Sequence, residues 1–235
     1  MNTVYWSVFD NDISLIHQTP PTPIRDKYKN INVNNESNFN LCPAYYLEAN
    51  KIFNLLAPFD YTLKFENNSV ITKDYNQEVF NNFFILDDYN LKLFQLKIDY
   101  LFFTENPCLI TVNAPYFTDS DISKNCNYIP ASYDISCWLR NISVSGLLKT
   151  NSNIIQLKRG DEILSVKFDF NNSDKIQLKK FYISPTLKHI YNTNLNSRIF
   201  MNKKVAGYLD LLYKKFTASK IKTAILREVK SNLLE

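Results

Sequence analysis

The sequence predicts a mainly β protein: an antiparallel β-sandwich or jelly-roll-like domain, followed by a short basic α-helical C-terminal segment. Three observations carry this. Between Ile154 and Ile183, three runs alternate apolar and polar residues and two turn signals separate them. Upstream, short runs rich in aromatic and branched residues are divided by asparagine pairs and prolines. Past Pro185 the apolar spacing changes from alternation to helical, with Val205, Tyr208, Leu209, Leu212 and Phe216 on one face.

In order, Val4 to Phe9 and Ile13 to Ile16 read as short strands, and Pro20-Pro21-Thr22-Pro23 forces an extended strap with few hydrogen bonds. Residues 25–40 are polar and read as a loop; structure resumes at Cys42-Pro43-Ala44. Lys51 to Ala57 and Tyr61 to Glu66 carry strand signals, and Asn67-Asn68-Ser69 turns the second into Val70 to Thr72. The apolar stretch from Asn90 to Thr104 favours strand over helix by its aromatic content. Leu109 to Val112 and Ser143 to Lys149 follow as strands, punctuated by prolines at 107, 115 and 130. The runs from Ile154 to Ile183 then read as a three-stranded antiparallel meander. Arg159-Gly160-Asp161-Glu162 and Asn171-Asn172-Ser173-Asp174 form its turns, with a bulge expected at Lys179-Lys180.

The domain is expected over residues 1–190 and the basic appendage over 191–235, with helices confined to the C-terminus. Residues 203–233 are predicted to form two helical pieces broken near Thr217 to Ser219, with Val205, Leu209, Leu212, Ile221 and Ile225 buried.

Composition sets limits on function. Hydrophobic content of 45% with 21% charged residues suits a packed core and argues against disorder. Gly146, Gly160 and Gly207 are the only glycines, so neither a dinucleotide fingerprint nor a P-loop can be written on this chain. The start has no basic n-region and no run reaches membrane-span length, so a soluble, non-secreted, intracellular product is expected. Cys42, Cys108, Cys126 and Cys137 lack a Cys-x-x-Cys pair and read as reduced, mostly buried thiols.

No motif assembles a catalytic or metal site, and no cofactor is expected. The two histidines, His17 and His189, open no His-x-Asp pair of the kind cupin-type oxygenases use. Asp87-Asp88 and Asp119-Ser120-Asp121 are the close acidic groups. The first pair points to opposite faces of a strand, and the second reads as a turn or helix cap. Arg159-Gly160-Asp161 is read as turn chemistry.

Charge is the one bias toward a partner. From Lys179 onward 12 Lys/Arg stand against 3 Asp/Glu, a net +9, while residues 1–178 carry −5. Lys203, Lys204, Lys214, Lys215, Lys220, Lys222, Arg227 and Lys230 are the candidate partner-binding residues, set to meet phosphates or an acidic protein surface.

Asn40-Leu41-Cys42-Pro43-Ala44, Ala57-Pro58-Phe59-Asp60-Tyr61-Thr62-Leu63, Ile129-Pro130-Ala131, Trp138-Leu139-Arg140 and Leu157-Lys158-Arg159-Gly160-Asp161-Glu162-Ile163 make residues 1–183 resemble a group of β-rich proteins encoded by large tailed phages, marine ones among them. Together with the absence of an assembled catalytic motif, the resemblance leads to the expectation of a non-catalytic structural or accessory protein acting through protein contacts or self-association, in the host cytoplasm during infection or in the virion. The competing expectations are a nucleic-acid-binding accessory protein using the basic helices, and an enzyme with a small-molecule pocket in a cupin-like or nucleotide-hydrolase-like sandwich.

Overall fold

The computed structural model describes residues 1–9, 19–26, 42–57, 60–66, 69–72, 84–88, 92–116, 118–137, 139–149, 154–171, 175–202 and 220–234. In chain order its strands are β1 (Asn2–Val8), β2 (Thr22–Pro23), β3 (Ile52–Leu56), β4 (Tyr61–Glu66), β5 (Ser69–Ile71), β6 (Phe84–Asp88), β7 (Leu93–Phe103), β8 (Cys108–Asn113), β9 (Cys126–Ile129), β10 (Ala131–Asp134), β11 (Asn141–Leu148), β12 (Ile154–Leu157), β13 (Glu162–Phe170) and β14 (Ile176–Lys180). Four helices, α1 (Pro43–Ala49), α2 (Asp121–Asn125), α3 (Pro185–Asn202) and α4 (Lys220–Ser231), complete the described elements. The protein is mainly β, as the sequence predicts.

Three sheets share the work. A six-stranded sheet runs β14-β1-β7-β11-β9 with β6 also on β7; a five-stranded sheet runs β10-β8-β13-β3-β2; and β12-β4-β5 form a small third sheet. The first two face each other in a sandwich-like arrangement. Val4, Trp6, Phe94, Leu96, Phe102, Ile142 and Val144 from one side share a single core with Phe53, Leu55, Ile110, Val112, Leu164, Val166 and Phe168 from the other. The Phe102 and Phe168 rings meet edge-on across the gap at 5.2 Å. The small sheet joins this core through Phe65 against Phe84, which stacks on Phe94.

The continuous apolar run in β7 has a physical cause. Phe94, Leu96, Ile98, Tyr100 and Phe102 point into the sandwich, while Leu101 and Phe103 point the other way into a second core with Tyr5, Phe181, Leu187, Tyr191, Ile225 and Val229. Helices α3 and α4 supply that second layer, so both faces of the strand are dry at its C-terminal end, from Tyr100 to Phe103. On β11, Gly146 answers to the same crowding. A Cβ there would stand 2.6 Å from Cζ of Phe94, so the ring takes the space a side chain would need.

Several expectations are corrected. The three runs from Ile154 to Ile183 are strands, but not a meander: β12 pairs with β4, β13 with β3 and β8, and β14 with β1. The turn at Gly160, whose φ is +88°, does form. It is stitched to the end of β3 by Gly160 N–H to Ala57 O and Ala57 N–H to Asp161 O, so the chain changes sheet at this turn, and the register of β13 on β3 then shifts between Glu162 and Leu164. The pairing of β14 is parallel, unlike every other strand pair among the described residues, and its register from Asn2↔Ile176 to Trp6↔Lys180 runs without the expected bulge. Nor is the polar side of β13 uniformly wet, since Ser165 is fully buried and its hydroxyl lies 2.5 Å from Asn54 Oδ1.

Helices are not confined to the C-terminus. α1 starts on Pro43, where the missing N–H costs nothing. It escapes a pattern search because only Ala49 is buried, against Ile24 and Ile52, while Tyr46 and Leu47 stay exposed. Charge fixes it instead: Glu48 bonds Lys167 at 2.7 Å and Lys51 at 3.3 Å, and Asp169 closes the ring 3.2 Å from Lys167. The Lys167 bond holds the Glu48 carboxyl below its ordinary value, and the same bond holds the Lys167 ammonium above its own.

At the other end, α3 runs through residue 190, where the sequence places the domain boundary. Lys203, Lys204, Lys214 and Lys215, with Val205, Leu209, Leu212 and the expected break at 217–219, lie outside the described residues. The helical piece beyond them forms as α4, with Ile225 and Val229 fully buried. Ile221 is a correction: it is 39% exposed, because the apolar surface beneath α4 takes only the second and third members of this i, i+4 row.

Candidate functional site

Two polar regions compete for function, a cleft and a basic side. The cleft encloses about 600 Å³ and is lined by Thr118, Ser120, Gln156, Lys158 and Gly160 together with Asp119, Asp121, Asp161 and Glu162. It forms where the loop leading into α2 meets the β12–β13 turn. That brings the acidic pair singled out at 119–121 together with the Arg159-Gly160-Asp161 turn, a convergence the sequence does not announce.

Its carboxylates hold the walls. Asp121 Oδ2 accepts the Gln156 N–H at 2.7 Å and its Oδ1 accepts Asn125 Nδ2 at 2.8 Å, tying β12 to α2. Asp161 Oδ2 accepts the Lys158 N–H at 2.8 Å across its own turn, and Asp60 Oδ1 accepts the Arg159 N–H at 2.6 Å. Glu162 Oε1 accepts Asn54 Nδ2 at 2.9 Å, continuing the buried chain to Ser165, whose Oγ accepts the Tyr116 N–H at 3.2 Å. Asp119 pairs with Lys124 at 2.9 Å. Each acid therefore has an oxygen engaged by a turn, a strand, a helix or a lysine, and no group of three metal-ligating side chains stands together among the described residues.

Nucleophiles fare no better. Cys108 and Cys126 are buried, Cys137 is half-buried and Cys42 is exposed, all with free thiols. Burial pushes the Cys126 thiol up to about 12 and the Cys137 thiol up to about 11, and it raises Cys108 as well. These three are protonated at neutral pH and poor nucleophiles. Tyr128 is likewise raised by burial, and its hydroxyl donates to Ile163 O at 2.7 Å. His189 is exposed on α3, whereas His17 and the side chains of Asp87 and Asp88 lie outside the described residues.

The basic side is built differently. β14 is the edge of the six-stranded sheet, and α4 lies over that sheet with Ile225 and Val229 in the second core. Glu228 anchors the helix by accepting the Ser184 hydroxyl at 2.9 Å, and Lys230 pairs with Glu105 at 2.7 Å. Past the helix, Leu233 bridges to Phe181 in antiparallel fashion, with Tyr182 N–H donating to Asn232 O and Leu234 N–H to Lys180 O. Four of the eight predicted basic residues are thus placed: Lys220 and Arg227 exposed, Lys222 half-buried, and Lys230 exposed but paired. Sequence reasoning missed Lys175, Lys179 and Lys180, which the parallel pairing of β14 brings to the same edge. Lys180 sits over the Trp6 ring at 5.3 Å.

No family model, no curated protein and no solved structure matches this chain. No helix among the described residues is long and apolar enough to cross a membrane.

Proposed function

We propose that this chain is a non-catalytic binding protein that works through protein contacts on its basic side, of the structural or accessory kind implied by its resemblance to proteins of large tailed phages. The observation that carries the reading is the arrangement around β14 and α4. A helix fixed by two buried side chains presents Lys220 and Arg227 outward, next to a sheet edge that itself bears Lys175, Lys179 and Lys180. Surfaces of one charge sign attract partners of the other and speed their encounter. The cleft supports the same reading from the opposite side, since its acids are engaged in holding the fold.

A photo-crosslinking residue in place of Thr223, which lies exposed between Lys220 and Arg227, tests this in the cell that naturally makes the chain. A discrete protein adduct is expected; an adduct with nucleic acid overturns the reading. Duplex DNA offered to the purified chain separates the same two cases, because phosphate binding would be strong at ~50 mM salt and fall steeply by ~200 mM. No detectable binding at the lower salt is the expected result.

A further inference from the structure

Hydrogen-bond directions along β14 show that part of its outer edge is open. Phe181 N–H donates to Trp6 O and Lys175 O accepts from Asn2 N–H, so odd-numbered residues aim their backbone groups at β1. Lys180 O and Tyr182 N–H point the other way, to Leu234 and Asn232, so even-numbered residues face outward. The described C-terminal residues cover that outward side as far as Lys180. Among the described residues nothing pairs with the outward N–H and C=O of Ile176 and Leu178.

The side chains here alternate in a way that selects an occupant. Ile176 and Leu178 are half-buried and pack on the main core, while Lys175 and Lys179 fall on the opposite face. A strand added at this edge would meet apolar surface on one face and ammonium groups on the other. Two copies joined edge to edge would set lysines beside lysines, which repels them and protects an exposed edge from self-pairing. The fitting occupant is therefore a partner of opposite charge.

We propose that the Ile176–Leu178 edge of β14 receives an extended acidic segment of a partner protein, alternating apolar and acidic residues, as an added strand of the six-stranded sheet. The chain's own C-terminus already shows the edge taking a strand, with Leu233 seated against Phe181. Main-chain bonds would supply affinity, and the alternation of apolar and lysine positions would supply selectivity. This rests on the reading above that the basic side works through protein contacts, and names the surface and the partner's chemistry.

The test is fluorescence anisotropy of the purified full chain with a labelled peptide of alternating glutamate and valine. Controls are oligoglutamate of equal charge and two versions of the peptide N-methylated on alternate residues, one set for each edge. The alternating peptide is expected to bind about tenfold or more tighter than oligoglutamate, and one of the two methylated versions to lose a similar factor. Leu178→Pro removes one outward N–H without touching the ladder to β1, and it should weaken binding about as much. Lys175→Glu with Lys179→Glu should do the same, while Lys97→Glu with Lys149→Glu, exposed lysines away from this edge, should have little effect. The methylated peptides leave the protein unaltered, so they decide the matter even if a variant fails to fold. Equal binding by both methylated peptides, or loss of binding through Lys220→Glu with Arg227→Glu but not through Lys175→Glu with Lys179→Glu, overturns the edge site and leaves protein contact through α4 standing. No peptide binding at all also overturns it, and salt-sensitive binding of duplex DNA in its place removes the broader reading too.

Discussion

The acidic cleft and the basic side contrast in how their polar groups are used. The cleft is concave and rich in carboxylates, the usual look of an active site, yet Asp121, Asp161 and Glu162 each accept a hydrogen bond that closes a turn or joins two elements. On the basic side Lys220 and Arg227 stand exposed, and Ile176 and Leu178 carry outward backbone groups that nothing pairs among the described residues. Concavity is a poor guide where the carboxylates already hold turns and strands together. An edge with open bonds and one sign of charge says more about partners.

The contrast can be broken most severely at Phe181. It is 1% exposed beneath the junction of β14 and α4, so Phe181→Ala should cost ~3–5 kcal/mol in urea unfolding. A cost below ~1 kcal/mol would mean the basic side is an appendage and no part of the fold. On the cleft side, Asp121→Ala removes the acceptor for Gln156 and Asn125 and should cost about 1–3 kcal/mol. A variant as stable as the parent chain would free that carboxylate for another role.

Cys126, at the end of α2, sharpens the comparison by pH. Burial raises its thiol from 9.0 to about 12, so above pH 9 the unfolded chain releases a proton that the folded chain retains. This contribution is complete below pH 9 and is lost as pH rises toward about 12. Thermal midpoints should decline over that window, and less steeply in Cys126→Ala. The smallest effect is expected outside: Lys220→Glu with Arg227→Glu should change stability by no more than ~0.5 kcal/mol, because neither side chain is buried. A larger loss would reveal a structural role for the pair.

Strand positions were largely legible in the sequence, whereas their partners were not. Tyr61 to Glu66 forms as read, because Tyr61, Leu63 and Phe65 alternate cleanly and point into the core. Alternation reports which face is dry and says nothing about which neighbour supplies the bonds, so β12, β13 and β14 looked like one meander and became members of three sheets. The register shift between Glu162 and Leu164 has no residue signature of its own. Helix α4 was visible through Ile225 and Val229, but α1 was not, since it buries little and is fixed by charges from residues 51, 167 and 169. The cleft was half legible: its acids and its turn were noticed separately, and only the fold shows them side by side. The open edge was invisible, because it depends on β14 pairing in parallel with residues some 170 positions away.

Amide hydrogen exchange along β14 tests the central claim most directly, since it reads the edge without any variant. In the free chain, Gln177, Lys179 and Phe181 should exchange slowly, held by β1, while Ile176 and Leu178 exchange fast. The alternating acidic peptide should slow Leu178 selectively. Leu178 protected as well as Lys179 before any peptide is added would show the edge already covered, and would contradict the account.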